Sequence, residues 1–397
     1  MRKNFLFVFT ILCACAPAAQ LAPTPMSPAS APATAAPAPR ITIAPTDERV
    51  PFNTAEWKTN FSKRTIPLGE ILSGGPPKDG IPALDDPKFV SVSDAAKWIS
   101  DNEPVVLYQN NNDARAYPLQ ILMWHEIVND TVGGKPVSIT FCPLCNTSIV
   151  FDRVIAGQAT TFGTTGKLRF SDLVMYDRAS ETWWQQATGD ALIGERVGMT
   201  LTMLSSQVIS FGDFKARFSN GKVLSQDTGY GRSYGSNPYT AYDSPGNFPF
   251  LYRGPDTPKT LQMTDYVVTI LIEKIAKAYP YRVLAQKRVI NDTVANQDLV
   301  VIWKGGTSSA LDAPAISKGR DIGATGVFNR KLGTRTLTFI ADGSAFKDQE
   351  TGSTWNLFGE AMDGALKGSQ LTPIVHGNHF WFAWFAFSPD TRVYEGK

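Results

Sequence analysis

A chain of 397 residues with 43% hydrophobic side chains, including 9 Trp and 23 Phe, carries enough apolar bulk for one large core or two smaller ones. Its formal charge is +2, and loss of Arg2 and Lys3 with an N-terminal leader would bring it to zero. Without a basic excess or clustered Lys and Arg, nucleic-acid binding is not expected.

Arg2 and Lys3 precede an apolar run from Phe5 to Leu12, which ends in Leu12-Cys13-Ala14-Cys15. The run is too short to span a bilayer. The small residue before Cys15, with Leu12 three positions ahead of it, fits a bacterial lipoprotein signal over residues 1–15 in which Cys15 takes the lipid. Cleavage as an ordinary secretory signal at a later alanine is the alternative. Residues 16–50 are mostly Ala, Pro, Thr and Ser, too poor in apolar bulk to offset the entropy of ordering, which predicts an extended, disordered tether. The expected location is the cell envelope, outside the cytoplasm, with the membrane contacted through the lipid anchor alone. The residues point to no particular protein partner.

Beyond the tether, Ser93 to Ile99 reads as a helix capped by Ser91 or Ser93, and Pro118 opens a second short helix running through Val128. Val105–Tyr108, Val137–Phe141, Ser148–Phe151, Leu299–Trp303 and Leu337–Ile340 are short runs rich in β-branched and aromatic residues between turn formers, and predict strands. The expected fold class is mainly β with short helices (α+β).

The chain also resembles itself. Ala116-Tyr117-Pro118, Leu122 and Asn129-Asp130-Thr131-Val132 recur 162 residues later as Ala278-Tyr279-Pro280, Leu284 and Asn291-Asp292-Thr293-Val294. At an offset of 170, Gly189, Ala191, Gly194, Gly198, Leu201 and Thr202 recur as Gly359, Ala361, Gly364, Gly368, Leu371 and Thr372. This predicts two internally duplicated β-rich halves, 51–225 and 256–397, whose matched stretches run over Val90–Phe218 and Val267–Pro389. Residues 226–255 connect them and hold Tyr230, Tyr234, Tyr239, Tyr242 and Tyr252 among Gly, Ser, Asn and Pro. Those tyrosines either form an aromatic binding surface or anchor an irregular connection to the halves.

What both halves keep reads as scaffold, and what one half keeps alone reads as chemistry. Once Cys13 is cleaved and Cys15 is lipidated, the remaining cysteines are Cys142 and Cys145, and these align with Lys304 and Thr307. His125 aligns with Lys287, whereas His376 and His379 stand where the first half has Ser206 and Ile209. Phe141-Cys142-Pro143-Leu144-Cys145-Asn146-Thr147, Trp124-His125-Glu126-Ile127-Val128-Asn129-Asp130, Gly163-Thr164-Thr165-Gly166-Lys167-Leu168-Arg169 and Asp227-Thr228-Gly229-Tyr230 resemble the bacterial and archaeal domain-of-unknown-function family 3179. That resemblance implies no activity, so function must be read from the residues.

Two sulfurs in a Cys-x-x-Cys pair suit a soft or borderline ion, and imidazoles can complete its shell. Cys142 and Cys145 with His125, and with His376 or His379 reaching across from the other half, would hold copper or zinc; sulfur-rich ligation favours copper(I), to which Met123 would add a thioether. Two other functions stay open. One is thiol–disulfide exchange with Cys142 as nucleophile and Cys145 as resolving thiol, which lacks the helix and βαβ context of thioredoxin. The other is a non-catalytic module that binds a ligand on the tyrosine-rich connection, with the two cysteines bonded to each other. His125 also reads as a helix residue satisfied by a backbone carbonyl, and His376 and His379 as turn residues at the edge of a core strand. No phosphate loop, zinc-protease helix or nucleophile elbow is found, so no nucleotide cofactor is expected.

Overall fold

The computed structural model describes residue 1, residues 50–343 and residues 345–396. The expected signal, the lipidated Cys15 and the tether up to residue 49 lie outside the described residues. Among the described residues the protein is mainly β with five short α-helices, as its short β-branched and aromatic runs predict. No helix among the described residues is long and apolar enough to cross a membrane.

The first run of elements is β1 (Pro104–Asn110), β2 (Asp113–Pro118), α1 (Leu119–His125), β3 (Ile127–Val132), β4 (Lys135–Cys142) and β5 (Thr147–Asp152). Next come β6 (Phe162–Arg169), β7 (Asp172–Asp177), β8 (Gln207–Ser210), α2 (Phe211–Arg217) and β9 (Lys222–Leu224). After the connection the chain forms β10 (Tyr266–Ile272), β11 (Ile275–Pro280), α3 (Tyr281–Lys287), β12 (Val289–Val294), β13 (Gln297–Lys304), β14 (Ala324–Asn329), β15 (Gly377–Phe380), α4 (Trp381–Phe385) and β16 (Arg392–Val393). The boundaries from β10 to β13 stand 162 residues after those from β1 to β4.

Strand order repeats as well. One sheet runs β8-β1-β2-β9 and ends at Phe89–Ser91, while β15-β10-β11-β16 lie in the same relative order in another. Each set ends in a parallel pair, β9 on β2 and β16 on β11. Single hydrogen bonds account for the matched residues. Tyr117 donates to Asp130 at 2.6 Å and Tyr279 to Asp292 at 2.9 Å. The Asn129 amide clamps both backbone groups of Phe162, as the Asn291 amide clamps those of Phe339.

The two expected ranges share a sheet and a core. β15 pairs with β5 at Asn378 and Ser148, which joins β16-β11-β10-β15 to β5-β4-β3 in one sheet. The largest apolar cluster draws on both ranges, packing Phe141, Val150 and Phe151 with Val268, Leu299 and Phe380.

Local signals explain most element ends. The first helix begins at Val92 rather than Ser93, because Ser91 is its cap and accepts from Asp94 N at 3.1 Å. α1 stops at His125, earlier than the expected Val128. Glu126 turns left-handed with φ 57°, and the β-branched Ile127 and Val128 enter a strand. Four of the five predicted strands lie within observed ones; Leu337 instead precedes a strand that starts at Phe339.

Candidate metal centre

β4 and β5 are antiparallel neighbours with Cys142 opposite Thr147, so the Cys-x-x-Cys pair lies in the loop of a hairpin. Pro143 opens a single 3-10 turn that carries Cys145, and Asn146 leaves it in the left-handed region with φ 47°. Both cysteines are free thiols and buried.

A second hairpin faces this loop. β6 and β7 pair at Arg169 and Asp172 across the two-residue turn Phe170-Ser171, both left-handed at φ 53° and 71°. Such turns usually carry Asn or Gly, and two side-chain-bearing residues here mark a conformation that the surroundings enforce. The turn directs the Ser171 carbonyl oxygen at the sulfurs, 3.4 Å from Cys145 Sγ and 3.9 Å from Cys142 Sγ. Asp172 follows, and its carboxylate oxygen and the two sulfurs all lie within 4.8 Å of one another.

Asp172 Oδ2 accepts from Gln185 Nε2 at 2.6 Å and from Ala187 N at 3.0 Å, whereas the buried Oδ1 has no N–H or O–H donor, and the thiols of Cys142 and Cys145 are the carboxylate's remaining hydrogen-bonding neighbours. Burial pushes Asp172 up to about 6, against the pull of the Gln185 and Ala187 donors. Glu126, turned inward by its left-handed backbone, is pushed up to about 8, chiefly by burial and then by the Asp172 charge. Burial likewise raises both thiols, and the Asp172 charge adds to it. Among the described residues neither acid forms an ion pair, so two carboxyls and two thiols stand close together with no cation bonded to them.

The histidines stand outside this group. His125 Nδ1 is 2.8 Å from the Pro82 carbonyl oxygen and its Nε2 is 2.6 Å from the Tyr234 hydroxyl, so both ring nitrogens are engaged elsewhere. His376 Nδ1 meets the Ile374 carbonyl oxygen at 2.8 Å. His379 Nδ1 meets the Thr147 hydroxyl at 2.9 Å and approaches the cysteine loop only through it. Met123 is a buried core residue. Asp172, not an imidazole, is the residue that stands with the two sulfurs, and Glu126 lies nearby on the wall of the neighbouring cavity. Glu126 sat unremarked inside a noted motif, and the signal for Asp172 was one acid between a turn and the apolar Leu173-Val174-Met175.

A cavity of about 480 Å³ borders the centre and is lined by Glu126, by Leu144 from between the two cysteines, and by Tyr239 and Tyr242 of the connection. Most of the connection's tyrosines are thus anchored rather than displayed. Tyr234 bonds His125, Tyr242 packs 6.3 Å from the Phe380 ring and Tyr252 5.3 Å from the Phe382 ring, while Tyr230 is exposed.

A family model described as "Protein of unknown function (DUF3179)" matches residues 78–391. The chain belongs to this family. Its noted motifs converge on the cavity and its surroundings: the cysteine hairpin, the α1 end with Glu126, the β6 wall with Gly166 and Lys167, and Thr228, which joins Tyr234 at 2.5 Å. Neither the curated proteins nor the solved structures compared gave a match.

Proposed function

We propose that this protein is an exported lipoprotein that holds a thiophilic metal ion through Cys142, Cys145 and Asp172. The observation that carries this reading is the convergence, within 4.8 Å, of two free and buried sulfurs with a buried carboxylate oxygen. Unpaired buried carboxylate is costly, and a divalent ion would compensate it while displacing the thiol protons. Gln185 and the Ala187 N–H would hold the carboxylate as outer-shell partners do in metal sites.

The donor set changes the order of metals. Copper stood first when sulfur and imidazole were the expected ligands; a carboxylate in the set moves zinc ahead of it. Copper(I) remains the second occupant. Thiol–disulfide exchange is less well supported, because burial raises both thiols where that chemistry needs a thiolate within reach of a partner.

The repeated spacing and strand order support an ancient duplication in which one copy kept the acidic set. Arg288 stands where Glu126 does and keeps its left-handed turn, at φ 62° against 57°.

Elemental analysis of the full chain purified under reducing conditions tests the metal reading. About one zinc or copper per chain is expected, and Cys142→Ser and Asp172→Asn should each strip it. Metal-free wild type after zinc exposure, or full occupancy in both variants, would end the proposal.

A further inference from the structure

The cavity beside the acid–thiol group, about 480 Å³, falls within the size range of small-molecule sites. Leu144, Leu168 and Leu173 give it apolar walls. Tyr239 and Tyr242 add two rings whose centroids lie 6.3 Å apart at 68°, so they meet as a corner rather than a stack. The Phe250 N–H donates to the Tyr242 hydroxyl at 3.0 Å and holds the connection in place behind that corner.

Glu126 is the carboxyl among the lining residues, 8% exposed. Its backbone is engaged on both sides, the N–H donating to the Leu122 carbonyl oxygen at 2.7 Å and the carbonyl accepting from Phe141 N at 2.8 Å, which anchors it beside the strand that leads into Cys142. Its carboxyl, in contrast, makes no hydrogen bond or ion pair among the described residues. The Glu126 charge acts on the Tyr239 hydroxyl and on the Cys142 thiol, which puts the carboxyl between the tyrosine corner and the cysteine loop. A carboxyl buried to this extent normally has a donor or a cation as partner.

The lining residues supply no such cation. Lys167 belongs to the wall through β6, but its pairing with Val174 turns its side chain to the Phe52 side, where the ammonium lies 5.9 Å from the ring, opposite to the face of Leu168 and Leu173. The neighbouring charge is negative in either state of the centre. Without a metal it is the Asp172 carboxylate; with a divalent ion seated, two thiolates and a carboxylate outweigh the ion by one charge.

We propose that the cavity binds a small organic ammonium ion, its charged head paired with the Glu126 carboxylate in the corner of Tyr239 and Tyr242 and its apolar part lying on Leu144 and Leu173. Aromatic rings and a carboxylate both attract a cation, and neither favours an uncharged body of the same shape. Burial holds Glu126 toward its protonated form in the ligand-free protein, and the bound cation lets it ionise. The site stands on the cavity and the unpaired carboxyl and does not require a metal at the cysteines.

The test titrates the full chain with choline and with its uncharged isostere 3,3-dimethylbutan-1-ol, read by saturation-transfer NMR. Choline should bind saturably and at least about tenfold more tightly than the alcohol. Glu126→Gln should abolish that preference, with cooperative urea unfolding showing that the variant is folded. Tyr239→Phe should keep the preference, and Tyr239→Leu should reduce it severalfold. Wild type stripped of metal by a chelator should still prefer choline, so a failure of the metal reading leaves this result intact. Equal affinity for both probes in the wild type, or an unchanged preference in folded Glu126→Gln, would overturn the proposal.

Discussion

His379 crosses the joint between β15 and β5 to bring Nδ1 within 2.9 Å of the Thr147 hydroxyl, which donates in turn to the Cys145 carbonyl oxygen at 3.2 Å. With the single hydroxyl proton given to that carbonyl, the bond to His379 requires the imidazole to carry its proton on Nδ1. Burial pushes His379 down to about 3, with His376 adding to the effect, so the ring is neutral at pH 7. Its role is to position the loop that carries Cys145. His379→Ala is expected to weaken zinc binding by about tenfold with the ligands intact, and His379→Gln to recover part of the loss through an amide donor. Competition with a chromophoric chelator measures both; equal affinities in all three proteins would remove His379 from the site.

The acid cluster fixes how stability of the metal-free protein changes with pH. Glu126 rises from 4.5 to about 8 and Asp172 from 3.8 to about 6, so both carboxyls hold protons more tightly in the fold than in the unfolded chain. Their contribution is present at low pH and lost as pH rises, through about 6 for Asp172 and about 8 for Glu126. The buried histidines act in the opposite sense: each is lowered from 6.5 by burial, so stability falls as pH drops below 6.5. The chelated protein should therefore be most stable near pH 6 in urea melts. Glu126→Gln should remove about 3 kcal/mol of the loss between pH 6 and 9, and an unchanged slope would show that Glu126 is not the source.

The parts legible in the sequence were those set by local or repeated chemistry. Ala-Tyr-Pro and Asn-Asp-Thr-Val matched between the halves because each supplies one tyrosine–aspartate bond and one asparagine clamp. Cys142 and Cys145 announced themselves by spacing. Asp172 did not, because it reaches the sulfurs through a hairpin that begins more than ten residues after Cys145, and no local pattern encodes the facing of two hairpins. The histidines misled for the same reason. Three rare, metal-competent side chains drew the eye, while their partners, the Pro82 carbonyl, the Ile374 carbonyl and Thr147, are visible only in the fold. Joining of the halves through β15 and β5 rests on one residue pair and was equally hidden.

His125 separates a structural role from a ligand role. Its ring joins the Pro82 carbonyl to Tyr234, whose hydroxyl meets Thr228, and so ties the start of the connection to the end of α1. Tyr234→Phe leaves one buried ring nitrogen without a partner and should cost about 1–3 kcal/mol in denaturant melts. His125→Ala should cost more, since it also opens a cavity. Zinc occupancy should stay at the wild-type level in both variants. Loss of metal from the folded Tyr234→Phe protein would return His125 to the ligand set.

Gly166 couples the backbone of the β6 bulge to the cavity wall. It is left-handed at φ +68°, and a Cβ there would stand 2.0 Å from the Pro76 carbonyl oxygen, a backbone atom that no side-chain rotation can move aside. Gly134 offers the comparison, since it is also left-handed, at φ +83°, but a Cβ there would meet nothing within 4 Å. Gly134→Ala should therefore cost only the conformational penalty, about 1 kcal/mol, whereas Gly166→Ala should cost about 3 kcal/mol or more as the strand withdraws from Pro76. Equal destabilisation by the two substitutions, measured in the same urea series, would mean that backbone conformation alone, and not the contact with Pro76, requires glycine at 166.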